Sequence, residues 1–182
     1  MTRLFAALCV AAGLALGACQ KAEPPRNAKS TPSAAASTAA PIPGRYKATL
    51  AEGIQFADKP DYPNFIRSAF GMSGHEPGGR WSDGPKVVFT FTESLPRNFT
   101  LKLDMNGAFG PNVGQPIQVR AGSWQGQFTL DAKPSSVELR VSSSTPPDAI
   151  EFTIPSPISP KELGISPDPR KVGVSFQRLS VL

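Results

Sequence analysis

The chain has 182 residues, with 19 Lys and Arg against 14 Asp and Glu, a formal net charge of +5 and a pI near 9.5. Two cysteines and one histidine leave too few nitrogen and sulfur ligands for a zinc or copper centre, so neither a metal nor a cofactor is expected. The positive balance suits an anionic neighbour such as lipid head groups or a charged polysaccharide, and no basic helix or RNA-binding signature points to nucleic acid.

The first residues read as an export segment. Arg3 supplies the charged start, and the apolar run from Leu4 to Leu16 is shorter than a membrane span requires. It ends in Leu16-Gly17-Ala18-Cys19, which resembles the bacterial lipobox, where small residues precede a cysteine that is acylated before cleavage. Residues 1–18 are therefore expected to be a lipoprotein signal peptide, with Cys19 lipidated and holding the chain in a bilayer. Cys9 would leave with the signal, so no disulfide framework is expected. Gln20, in place of the aspartate that signals inner-membrane retention in many enteric lipoproteins, favours the outer membrane, facing the periplasm. After Cys19, residues 20–44 continue as "QKAEPPRNAKSTPSAAASTAAPIPG", too poor in large apolar side chains to offset chain entropy, so that 19–44 is expected to be the lipidated cysteine plus a disordered tether.

Residues 45–182 have the size of one compact domain, and period-two alternation dominates them. "RYKATL", "GIQFA" and "FIRSAFGM" read as short early strands. "KVVFTFTE" places Val87, Phe89 and Phe91 on one face, and "NFTLKLDMNG" places Phe99, Leu101, Leu103 and Met105 inward against Thr100, Lys102 and Asp104. These two runs, joined by "ESLPR", are expected to be antiparallel neighbours. Ile117 with Val119, Phe128 with Leu130, Val137 with Leu139 and Val141, and Ile150 with Phe152 and Ile154 continue the pattern. Val172, Val174 and Phe176 have one parity and Leu179 and Val181 the other, which predicts a bulge near Gln177 and Arg178. Eight to ten short strands predict an all-β fold, a two-sheet antiparallel β-sandwich of jelly-roll type. At most one helical turn is expected, at 160–164, where Ser159 caps, Glu162 completes a capping box and Gly164 provides a left-handed exit.

The chemistry-bearing residues cluster in "GMSGHEPGGRWSDG". As an enzyme site, Glu76 and Asp83 could be the paired carboxylates of a glycan hydrolase, but there is no Gly-x-Ser-x-Gly elbow for a serine nucleophile and His75 stands alone. As a binding site, Trp81 offers a flat face for a sugar ring, with Glu76, Arg80 and Asp83 as directional hydrogen-bonding groups. As a structural element, Trp81 packs into the core while Arg80 and Glu76 pair to pin the loop. Asp168 and Arg170 in "SPDPRK" face the same choice between ligand binding and loop pinning. Trp124 reads as core or sheet-end packing.

Two stretches in order, "GMSGHEPGGRWSDG" and "ISPKELGISPDPRKVGVSFQRLSV", resemble a family of β-rich accessory domains. Those domains follow the catalytic parts of some bacterial membrane phosphoglycerol transferases and surface glycosyltransferases. The similar features are the Gly-x-Ser start, Glu-Pro, Arg-Trp-Ser, and later Ser-Pro, Glu-Leu-Gly and Asp-x-Arg, over roughly residues 52 to 181. This chain has Gly78 where a tryptophan is expected, which removes one aromatic from the loop. The resemblance implies the accessory module without the transferase, and so no catalytic residues. Two partners are in view: an envelope polysaccharide bound without catalysis, or a transferase of surface-polymer assembly.

Overall fold

The computed structural model describes residues 45–182. The expected signal peptide, lipidated Cys19 and expected tether lie outside the described residues. Ten strands form two antiparallel sheets: β1 Ile54–Gln55, β2 Ile66–Phe70, β3 Arg80–Trp81, β4 Lys86–Phe91, β5 Asn98–Ala108, β6 Ile117–Ala121, β7 Trp124–Phe128, β8 Ser135–Ser142, β9 Ala149–Thr153 and β10 Val174–Val181. One sheet runs β1-β10-β5-β8, with β3 sharing the β1 side of β10; the other runs β2-β4-β9-β6-β7. The sequence-predicted sandwich is therefore the observed one.

The inward residues meet between the sheets. Val87, Phe89, Leu101, Leu103, Ile117, Ile150 and Phe152 are sealed from solvent. At the centre Phe56, Phe89, Phe152 and Phe176 form a chain of ring contacts with centroids 5.4 to 6.3 Å apart. Each buried ring of this kind stabilises the fold by about 1.5–3 kcal/mol. Val137 and Leu139, on the edge strand β8, pack only partly against this core.

Three expectations are corrected. β4 and β5 are not hydrogen-bonded neighbours: they belong to opposite sheets. The linker between them buries Leu95, whose backbone N–H donates to the Pro147 carbonyl, so the chain crosses from one layer to the other instead of turning back. "RYKATL" contributes only an isolated bridge from Tyr46 to Pro63 and no strand. The short helical element lies at Gly110–Asn112, as a 3-10 turn, while 160–164 remains a turn without assigned helix. The predicted capping box is nonetheless formed there, with Ser159 N–H donating to Glu162 (3.0 Å) and Glu162 N–H to Ser159 Oγ (3.1 Å).

The bulge in β10 falls where parity placed it. Ser175 pairs with Gly107, Phe176 with Met105 and Arg178 with Asp104, leaving Gln177 without a partner in the ladder. Its carbonyl instead accepts the backbone N–H groups of Phe56 and Ala57, at 2.9 and 3.2 Å. The turn after β1 is thereby tied to an irregular point of the strand.

Candidate functional site

The loop from Met72 to Gly84 is held by its own residues. Ser73 Oγ accepts the Trp81 N–H at 3.1 Å, and Glu76 and Gly79 exchange backbone hydrogen bonds at 3.1 Å, closing a tight turn over Pro77 and Gly78. The Gly78 carbonyl accepts a bond from Asn106 Nδ2 at 2.8 Å, which fastens the turn to β5. His75 Nε2 lies 3.3 Å from the Ala57 carbonyl oxygen.

Along β3 the side chains diverge. Arg80 points inward: it is buried, its guanidinium stacks 4.7 Å over the Tyr62 ring, and it donates to Tyr62 Oη and the Pro60 carbonyl. Arg80 does not pair with Glu76, a correction to the loop-pinning scheme; its partners are the Tyr62 ring and hydroxyl, eighteen residues upstream, and the Pro60 carbonyl, twenty residues upstream. Burial raises the Tyr62 phenol above its ordinary value, partly offset by the neighbouring Arg80 charge. Trp81 faces the other way, half-buried, with its ring edge-on to Phe109 at 5.9 Å. It is neither a core residue nor a free stacking platform.

Glu76 pairs instead with Arg170, and Arg170 grips Asp168 through Nε (3.0 Å) and Nη2 (2.6 Å). The Arg170 side-chain and backbone donors hold the Asp168 carboxyl below its ordinary pKa, and the two carboxylates raise that of Arg170. Three of the sequence-predicted residues thus form one carboxylate–guanidinium–carboxylate clasp between loops ninety-odd residues apart. Asp83 is exposed and stands outside it, its backbone N–H bonded to Gly71. Glu76 is thus paired with Arg170, and Asp83 takes no part in that cluster. Trp124 packs at the sheet end, its indole lying against Gly126.

A polar groove of about 490 Å³ lies beside this loop, on the outer face of the first sheet. Its floor is a row set by strand register: Gln55 opposite Arg178, Arg178 opposite Asp104, Asp104 opposite Ser136. Ala57 and Asp58 wall one side and Pro134 and Ser135 the other. Asp104 accepts the Ser136 hydroxyl at 2.6 Å and lies 3.6 Å from Arg178 Nε. Gln177, turned outward by the bulge, donates to Asn106 at the rim, and His75 backs the Ala57 wall. The sequence signal for this groove was present in pieces: Asp104 stands at an outward position and the bulge marks Gln177 and Arg178. What joins them is register across four strands.

Among the described residues no three His, Cys, Asp or Glu side chains come together as a metal-binding group. A family model described as a domain of unknown function, DUF7024, matches residues 38–182. The chain belongs to the DUF7024 family. No curated protein matches the sequence. Among solved structures, the DUF7024 sandwich is similar to family 29 carbohydrate-binding modules. One such mutant module, from work on ligand recognition, is 12% identical with a TM-score of 0.47, covering 69% of this chain and 86% of that chain. Another, complexed with mannohexaose, is 13% identical with a TM-score of 0.46 over 70% and 87%. A third, complexed with cellulohexaose, is 13% identical with a TM-score of 0.42 over 69% and 86%.

Proposed function

We propose that this DUF7024 protein is an envelope lipoprotein, anchored through acylated Cys19, whose β-sandwich binds cell-envelope glycan without catalysis. The observation that carries the reading is the groove over β1, β10, β5 and β8. A sugar chain offers hydroxyls that both donate and accept. Gln55, Asp104, Ser135, Ser136 and Arg178 present matching amide, carboxylate, hydroxyl and guanidinium groups on a nearly flat sheet floor. Backbone ladders beneath fix these groups in place, which limits the ordering cost of binding.

Charge distribution supports the anchoring half of the reading. Residues 45–182 carry fifteen Lys and Arg against thirteen Asp and Glu, so most of the positive excess lies in the N-terminal segment. Lys21, Arg26 and Lys29 would then sit close to the acylated cysteine, where anionic head groups attract them. The folded part needs no overall positive charge for its partner.

Affinity electrophoresis through gels containing hydroxyethylcellulose, mannan or alginate, with calorimetry on soluble peptidoglycan fragments, tests the reading. At least one polymer should retard the protein, and a Gln55→Ala/Arg178→Ala double variant should lose that retardation while melting as the parent does. Free migration through every polymer, with no calorimetric signal at millimolar ligand, would reject it.

A second reading, a docking module for a polymer-assembly transferase, is favoured by one observation. Val113, Leu163 and Ile165 are exposed apolar residues on two neighbouring turns, joined where Gly110 approaches Ile158 and Leu163. Crosslinking that recovers an envelope transferase from the parent, and not from a Leu163→Ser/Ile165→Ser variant, would support it; equal recovery by both would count against it.

A further inference from the structure

The second sheet turns a different face to solvent, and nothing among the described residues covers it. Strand register lays one row straight across its five strands: Phe70 opposite Val88, Val88 opposite Glu151, Glu151 opposite Arg120, Arg120 opposite Gln125. Alongside runs a second row, Lys86–Thr153–Gln118–Gln127. Four inter-strand steps make the first row about 19 Å long.

Its chemistry is uneven from end to end. Phe70, at one end, is 51% exposed, an unusual state for a phenylalanine in a regular strand. In the middle Glu151 takes both Lys86, at 2.6 Å, and Arg120, yet the two cationic side chains remain 49% and 51% exposed. Two cations thus share one carboxylate. Arg120 commits a single Nη2 donor to Glu151, leaving the rest of its fork directed to solvent. Beside them Gln118 Nε2 donates to Gln127 Oε1 at 2.8 Å, orienting both amides along the row. A depression of about 200 Å³ lies among Gln118, Arg120, Gln125, Glu151 and Thr153.

We infer that this face is a second ligand site, built for a polyhydroxylated chain that carries acidic groups, such as a uronate-containing glycan. A carboxylate of the ligand takes the free edge of Arg120 and the ammonium of Lys86, supplying the second acceptor that the cluster lacks. The ordered glutamine amides and Thr153 meet the neighbouring hydroxyls. Phe70 receives the apolar face of a ring further along. This site shares no residue with the groove on the other sheet and stands whether or not that groove binds glycan. If both do, the domain can hold two strands on opposite faces.

The test is an amide-correlated NMR titration of the ¹⁵N-labelled protein with oligogalacturonate, with cello-oligosaccharide as the neutral counterpart and vesicles containing phosphatidylglycerol as a competing anionic surface. Oligogalacturonate should move the side-chain amide signals of Gln118, Gln125 and Gln127, and added salt should weaken binding, since the ligand's charge meets exposed cations. Arg120→Gln should weaken it by about tenfold or more. Phe70→Ala should weaken it less and equally at all salt concentrations, and Gln55→Ala/Arg178→Ala should leave it unchanged. The spectra report folding of each variant directly. The inference is overturned by an absence of shifts at millimolar oligogalacturonate, by an equal response to the neutral oligosaccharide, by shifts confined to the other sheet, or by binding to the vesicles alone.

Discussion

Gly107 connects the stability of the sandwich to the shape of its groove, and its replacement by alanine gives a quantitative check. It sits in β5 with φ of 122°, beneath the segment that leads into the Pro134 wall. A Cβ there would stand 2.8 Å from Asp131 O and Lys133 N and 2.9 Å from Ala132 C. All three are backbone atoms, so no change of rotamer relieves the contact. The wall must move by roughly 0.6 Å to reach ordinary packing distance. The backbone conformation alone costs about 1–3 kcal/mol for alanine, and the forced displacement about 1–3 kcal/mol more. Gly114 provides the control, since its φ is 73° but nothing lies within 4 Å of the added carbon. Gly114→Ala should therefore cost only the left-handed penalty of about 1–2 kcal/mol. At roughly 3 °C per kcal/mol for a domain of this size, the melting temperature should fall by about 6–18 °C for Gly107→Ala and about 3–6 °C for Gly114→Ala. Urea unfolding gives the free energies, and NMR shifts at Ser135 and Ser136 report the wall. Equal destabilisation by the two variants, or an unmoved wall in Gly107→Ala, would refute the steric argument.

Asn112 is buried and makes three bonds: Nδ2 to the carbonyls of Phe109 (2.9 Å) and Ser156 (2.8 Å), and Oδ1 from Ser156 N–H (2.9 Å). Asn112→Ala should lower unfolding free energy by about 3 kcal/mol, read from urea midpoints at constant slope. Asn112→Asp keeps the acceptor but aims a charge at two carbonyls, so its folded pKa is raised. Relative to the parent, its deficit should shrink at pH 4 and be full at pH 7, and a pH-independent deficit would contradict this account. The Lys171 ammonium, with the Ser159 backbone and hydroxyl, lowers the Glu162 carboxyl to about 2. Because that pKa is depressed, the stabilisation is present above about pH 4.5 and lost as pH falls towards 2. Amide exchange in the 159–165 turn should accelerate across that window, and Glu162→Gln should remove the pH step; a step unchanged in the variant would assign it elsewhere.

Within the strands, the direction of each side chain was legible from alternation, because burial of one face imposes a period of two wherever a strand covers the core. Pairing was not. In a two-layer sandwich the chain can change sheets at any connection, and among the described residues only β6 and β7 are both consecutive and paired. "ESLPR" reads as a hairpin loop by composition, yet Leu95 is apolar and central, the mark of a segment that dips through the core. The loop residues were similarly half-readable. Glu76, Asp168 and Arg170 were each identifiable as charged residues with something to hold, but the clasp joins positions 94 residues apart. Arg80 resisted because burial of an arginine against Tyr62 leaves no local trace in the sequence. The two outer faces were hardest, since Gln118, Arg120, Glu151 and Gln55 look like ordinary solvent-side residues until register sets them in rows.

The unpaired Gln177 has a genetic corollary. Substitutions there exchange one outward side chain for another, but loss of the single codon would join two stretches of opposite parity into one regular strand. Arg178 would then follow Phe176 directly and stay outward opposite Asp104, with Leu179 and Val181 still inward. The carbonyl that holds the Phe56 and Ala57 amides would vanish with it. The extra residue of β10 therefore serves the turn after β1 and not the facing of the strand.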